Sequence, residues 1–293
     1  MDVVLSGLLA GVRRVWVTAS YAAIVSAVAV VMVRMAPATQ DAVIRHASTN
    51  LHNLGRGRLG TLVGSAFVVD AGPLYLWLPG LICLLLCAEL IWGGRRLIVT
   101  FAAGHIGATL LVAAGLAAAV EFGWLSASVT RASDVGMSYG AMAVVGALTA
   151  AIPGRWRPAW LGFWFAAAAV VIVDGASFTD VGHVVALLLG IGVSRWFGER
   201  RRWSIPTVLL LAAGAAFGFL VLADGMVSLL LGALWGSAGA VLAGAGARLL
   251  ARRRAQARAS ADAQANTSVD ETIQSERQDS GGSSSSSPGA SHS

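Results

Sequence analysis

Leu97 to Phe122 reads LIVTFAAGHIGATLLVAAGLAAAVEF, and its one formally charged side chain, Glu121, stands at the far end. An apolar run of about 20 residues is long enough to cross the hydrocarbon core of a bilayer as a helix. Working outward, comparable runs cover approximately Val15 to Val33, Leu74 to Trp92, Val135 to Ile152, Trp160 to Val173, Val181 to Phe197, Ile205 to Ala223 and Met226 to Leu250. Together they predict eight spans and an all-α, polytopic membrane helix bundle. The stretch from Leu59 to Val69 is too short to cross and reads as a re-entrant or interfacial piece.

Composition agrees with that reading. Of 293 residues, 56% are hydrophobic and 12% charged, against roughly half apolar and roughly a quarter charged in soluble domains. A disordered chain, a disulfide-rich secreted domain and an ordinary soluble enzyme are thereby excluded. The net charge of +6 comes from arginines dealt out in small clusters, with no lysine, so it forms no nucleic-acid patch. It reads as topology. Cys83 and Cys87, within one apolar run, read as small buried hydrophobes and imply neither a metal nor a redox compartment. The use of Ala, Gly, Val and Arg suggests a GC-rich bacterial genome.

Arginine placement sets the expected orientation, because short loops rich in Arg stay inside. Arg13 and Arg14, Arg95 and Arg96, Arg155 and Arg157, Arg195 with Arg200 to Arg202, and Arg248 with Arg252 to Arg254 mark every second junction. Asp134, Asp174, Asp180 and Asp224 mark ends on the other side. A multi-pass protein of the cell membrane follows, with both termini cytoplasmic and the first span an uncleaved anchor. Residues 1–14 form a cytoplasmic N-terminus and 15–197 a six-span core with a long outer loop, 37–73. Residues 198–250 hold two further spans, and 251–293 a cytoplasmic tail expected to be disordered for want of large apolar residues.

Polar groups inside spans are costly, so each is a functional candidate. Glu89, close to Arg95 and Arg96, reads as a structural ion pair or a snorkelling side chain; His105 reads as a hydrogen-bonding residue between helices, or a proton relay. Ser138 is four residues past Asp134 and His183 three past Asp180. At a rise of about 1.5 Å per residue, both fall roughly 5 Å below the same surface and can meet. A hydroxyl against an imidazole is the minimum nucleophile and base for acyl transfer, although Ser and Gly also serve as plain packing residues between spans. Gly136 and Gly140 flank Met137, Ser138 and Tyr139, where backbone N–H groups are candidates to face a reacting carbonyl. Gly182, Ala186 and Gly190 carry the small-residue spacing that lets one helix pack closely on another.

These residues resemble the rhomboid family of intramembrane serine proteases. Gly136-Met137-Ser138 is similar to that family's Gly-x-Ser-Gly nucleophile motif at the start of its fourth helix. Gly182-His183-Val184-Val185-Ala186-Leu187-Leu188-Leu189-Gly190 resembles its sixth-helix His-x-x-Gly-x-x-x-Gly, and Glu89 to Gly93 its second-helix Glu-x-x-x-Gly. The resemblance implies a rhomboid-like six-helix core plus two C-terminal transmembrane helices. It implies an endopeptidase that cleaves transmembrane proteins near the outer membrane face, with Ser138 as nucleophile, His183 as base, and no metal or other cofactor. The implied partners are membrane-protein substrates and the lipid bilayer, with no nucleic acid.

Four positions depart from the family pattern. The family's second-helix His-x-x-x-Asn, whose side chains help bind the oxyanion, falls here on Pro73 and Trp77; Tyr139 replaces the Gly after the nucleophile, and Met142 stands where an aromatic often stacks on the histidine. His46, Asn50, His52 and Asn53 in the outer loop are candidate replacements for the lost donors. The alternatives are a rhomboid-like protein that binds membrane clients without cutting them, and a small-molecule transporter using His105 and Asp174.

Overall fold

A computed structural model of the chain describes residues 14–68, 74–133, 135–174, 177–197, 203–223 and 225–281. Arg13, Pro73, Asp134, Arg200 to Arg202, Asp224 and the tail beyond Gly281 lie outside the described residues. The described elements are all helical. α1 (Trp16–Val33) is followed by short outer-loop helices α2 (Pro37–Ala47), α3 (Leu51–Gly55) and α4 (Thr61–Gly64), then a 3-10 turn at Ser65–Phe67. The remaining helices are α5 (Leu74–Trp92), α6 (Gly94–Glu121), α7 (Ser138–Ala147), α8 (Arg157–Val173), α9 (Phe178–Ser194), α10 (Ile205–Leu222) and α11 (Met226–Gly281). Within α1, α6, α10 and α11 are stretches of at least 18 residues apolar enough to cross a membrane; the apolar stretches Trp77–Trp92, Ser138–Ala150, Arg157–Val173 and Phe178–Ser194 are shorter. The protein is a polytopic membrane bundle.

The chain divides into one compact unit over residues 1–242 and a second over 243–293. In the first unit, α7 is the innermost element, with every residue from Tyr139 to Ala147 buried. A helix that is apolar all round has no face for water and fits only where neighbours surround it. Those neighbours are α5, α6, α9 and α10. Close approach depends on missing side chains: a Cβ at Gly146 would strike the Leu187 carbonyl, and one at Gly190 the Ala143 carbonyl. Backbones therefore touch where α7 crosses α9, the small-residue mode of packing between membrane helices. The seventh span joins this core, since Phe217 and Leu222 of α10 are buried and Gly214 lies against the Leu84 backbone of α5. Outward-facing Val31, Val33, Val99, Leu111 and Leu209 are exposed, as helices bathed in hydrocarbon require.

Glu89 has a different partner from the one its neighbours suggest. It is 2% exposed, and its carboxylate accepts from the N–H groups of Val17 and Thr18 and from the Thr18 hydroxyl, at 2.6–3.0 Å, rather than pairing with Arg95 or Arg96. The first N–H groups of a helix have no partner within it, and the helix dipole makes that end positive. A carboxylate from α5 therefore caps α1. Gly93, at φ +84, then turns the chain directly from α5 into α6, a conformation that L side chains adopt at a cost.

The second unit holds the rest of α11, which runs as helix through Gly281 where the composition suggests none. Low hydrophobicity predicts only that the segment buries little. Between Ala247 and Ser280 there is no Gly or Pro, while Ala, Arg and Gln are strong helix formers, so local propensity carries the helix onward.

Candidate active site

The outer loop descends into the bundle. The Tyr21 hydroxyl, little more than a turn into α1, donates to the Ala66 carbonyl at 2.6 Å, and the Tyr21 ring lies 5.3 Å from Phe67. Ser65 Oγ lies 3.1 Å from His105 Nε2 in α6, so the partner of His105 is this loop rather than another span. Ser65 also reaches the start of α7, because its carbonyl accepts the Gly136 N–H at 2.8 Å. Gly136 adopts φ +117, a conformation open to glycine and strained for other residues, and the turn it makes leads into Met137 and Ser138.

Ser138 opens α7 and is half-buried. Met137, at the N-cap, supplies no side-chain cap, so the first turn begins without that usual partner for its N–H groups. Two of the glycines have been put to other use: the Gly136 N–H is taken by Ser65, and the space beside Gly140 is filled by the Phe101 ring. The first turn of α7 is level with Phe101 to Gly104, since Gly104 in turn abuts the Tyr139 carbonyl. From Gly104, α6 runs on to Glu121, roughly 25 Å at 1.5 Å per residue.

His183 is placed by α9, whose N-terminus carries a reciprocal cap. Ser177 Oγ accepts from the Asp180 N–H, while Asp180 Oδ2 accepts from the Ser177 N–H and hydroxyl. Beyond the cap, Gly182, Ala186 and Gly190 lie on the buried side of α9. The Tyr139 ring fills the space beside Gly182 and meets the His183 ring edge-on, centroids 5.4 Å apart and planes at 77°. His183 is 6% exposed, and neither of its ring nitrogens has a hydrogen-bond partner. The helices thus set His183 against Tyr139, the residue after Ser138, with no hydrogen bond to either ring nitrogen.

A second serine and histidine, Ser65 and His105, are hydrogen-bonded, and Thr49 is bonded to the same serine. The Thr49 hydroxyl is directed at both the Thr61 carbonyl, at 2.7 Å, and Ser65 Oγ, at 3.0 Å. His105 Nδ1 is buried without a partner. Ser65 is thus tied to Thr49 and His105 together, as a link that holds the loop.

Three of the four loop candidates, His46, Asn50 and Asn53, are hydrogen-bonded within the loop. Asn50 accepts from the Asn53 N–H, and buried Asn53 donates to the carbonyls of Arg45 and Ser48. His46 Nδ1 pairs with the Ala42 carbonyl. Arg56, followed by desolvation, Arg131 and Arg58, pushes the pKa of His52 below its ordinary value. These groups shape the loop. Trp77 packs against the main core, with a side chain that supplies no carboxamide. For a transport path, His105 lines a cavity of about 240 Å³ among α1, α4, α5 and α6, whereas Asp174 accepts from Ser228 and lines one of about 480 Å³ between α8 and α11. The two line separate spaces.

Comparison with curated proteins and with solved structures gives no match. The sequence profile of a family described as rhomboid-like protein matches residues 10–202, a stretch that takes in Glu89, Ser138 and His183. With most of its length so matched, the chain belongs to the rhomboid-like protein family.

Proposed function

We propose that this protein is an intramembrane serine endopeptidase, with Ser138 as nucleophile and His183 as base. The supporting observation is the His183 imidazole, buried against the first turn of α7 with both ring nitrogens unpartnered. A buried polar group without a partner costs about 1–3 kcal/mol, a cost that persists where function needs the group. Serine–histidine hydrogen bonds are often long or absent before substrate arrives and tighten in the complex.

In the proposed reaction, Ser138 Oγ attacks the scissile carbonyl as its proton passes to the imidazole. The tetrahedral oxyanion is met by backbone N–H groups at the uncapped, dipole-positive start of α7. The imidazolium then protonates the leaving amine, and water releases the acyl group by the same steps in reverse order. The substrate class is a single-pass membrane protein whose helix is weak near the outer face. In this reading the chain works in the plasma membrane with both termini cytoplasmic.

A second reading, client binding without cleavage, is favoured by Trp77, which stands at a family oxyanion position without a polar carboxamide. Co-expression with a tagged single-pass reporter separates the two. The endopeptidase reading expects a cleaved reporter with wild type and an intact one with Ser138→Ala and with His183→Ala. Capture of intact reporter by all three proteins contradicts it and supports client binding.

A further inference from the structure

Arg248, Arg252, Arg253, Arg254 and Arg258 straddle the end of the apolar part of α11 at Leu250, and all five are exposed. At 3.6 residues per turn they point to roughly 0°, 40°, 140°, 240° and 280° around the helix axis. They form a collar and not a stripe. A stripe fits a helix lying on a surface or in a partner's groove; a collar fits charges approached from every side. From Arg248 to Arg258 the collar is about 15 Å long, and arginine stems reach along the axis to cover a headgroup layer of roughly 5–8 Å per leaflet.

The residues that follow argue against the helix lying flat. Asp262, Asp270, Glu271, Glu276 and Asp279 succeed the collar with Arg277 the lone cation among them, and Val269 and Ile273 are the only large apolar residues in that stretch. An anionic surface repels that segment while attracting the collar. A helix that leaves the bilayer steeply, ringed by lipid phosphates at its exit, satisfies both halves.

We propose that the arginine collar is a binding site for anionic phospholipid headgroups. Guanidinium groups pair with phosphate through two parallel hydrogen bonds, and a basic residue beside a span adds about fivefold to binding of anionic lipid at physiological salt. The proposal is independent of whether Ser138 is catalytic.

The test uses the full-length chain in detergent micelles, with native mass spectrometry reading retained lipid during titration with phosphatidylglycerol, phosphatidylcholine or inorganic phosphate. The wild type is expected to hold phosphatidylglycerol at least tenfold more tightly than phosphatidylcholine, and phosphate at matched concentration is expected not to displace it. Changing all five arginines to Gln is expected to remove that preference, and changing all five to Lys to keep most of it. Should the five-Gln protein fail to insert, Arg253→Gln with Arg254→Gln is expected to weaken phosphatidylglycerol binding tenfold or more. Unchanged phosphatidylglycerol binding in the Gln proteins, equal retention of phosphatidylcholine, or displacement by phosphate would each overturn the proposal.

Discussion

Two serine–histidine pairs lie close together in this bundle, and they are opposites. Ser65 and His105 are joined at 3.1 Å, and Thr49 is bonded to the same Ser65 oxygen and to the Thr61 carbonyl. Ser138 and His183 are not joined, yet the imidazole keeps both nitrogens unpartnered beside an uncapped helix start. The surroundings of each pair set the difference: one serine is tied into a buried network, and the other histidine is left open.

The comparison breaks most sharply if the open pair proves dispensable. Ser138→Ala and His183→Ala are each expected to reduce reporter cleavage by about 1,000-fold or more while leaving the protein folded. Ser65→Ala is expected to leave cleavage within about tenfold of wild type. A large loss in Ser65→Ala with cleavage preserved in Ser138→Ala would exchange the roles of the two pairs.

Next in size is the frame that presents His183. Gly190→Val would drive a branched side chain into the Ala143 carbonyl, where backbone meets backbone and neither gives way easily. The expected cost is about 3 kcal/mol, seen as a large fall in detergent melting temperature. An unchanged melting temperature would mean that α7 and α9 do not cross here.

On the closed side, Ser65→Ala leaves His105 Nε2 and the Thr49 hydroxyl without that partner, at an expected cost of about 1–2 kcal/mol in thermal stability. Faster amide exchange in the Gly136 turn should accompany it, because Ser65 ties the outer loop to that turn. Exchange at the wild-type rate would separate the loop from α7. Smallest of all, Asp180→Ala opens the reciprocal cap of α9 for about 1 kcal/mol. Thermal melts should register it without loss of the spans.

The spans were legible because hydrophobic length is a local property; so was the composition of the α9 face, where glycine and alanine recur every fourth residue. That α6 runs well past Gly104 and that α7 starts only at Ser138 do not follow from local hydropathy. Glu89 illustrates a second limit. Its sequence neighbours are arginines, whereas its partners are backbone groups of Val17 and Thr18, some seventy residues away. Ser65 fell within a segment recognised as short and re-entrant, but nothing in that segment names His105 or Gly136 as its partners. The helix beyond Leu250 escaped for the opposite reason: burial was used to judge a segment whose conformation rests on propensity alone.

The most direct measurement is to treat the purified, folded protein with a fluorophosphonate and locate the modified serine by mass spectrometry. A phosphonyl adduct on Ser138, absent in His183→Ala, is the predicted result. An adduct on Ser65, or none in the folded wild type, would contradict the assignment of Ser138 and His183 as the working pair.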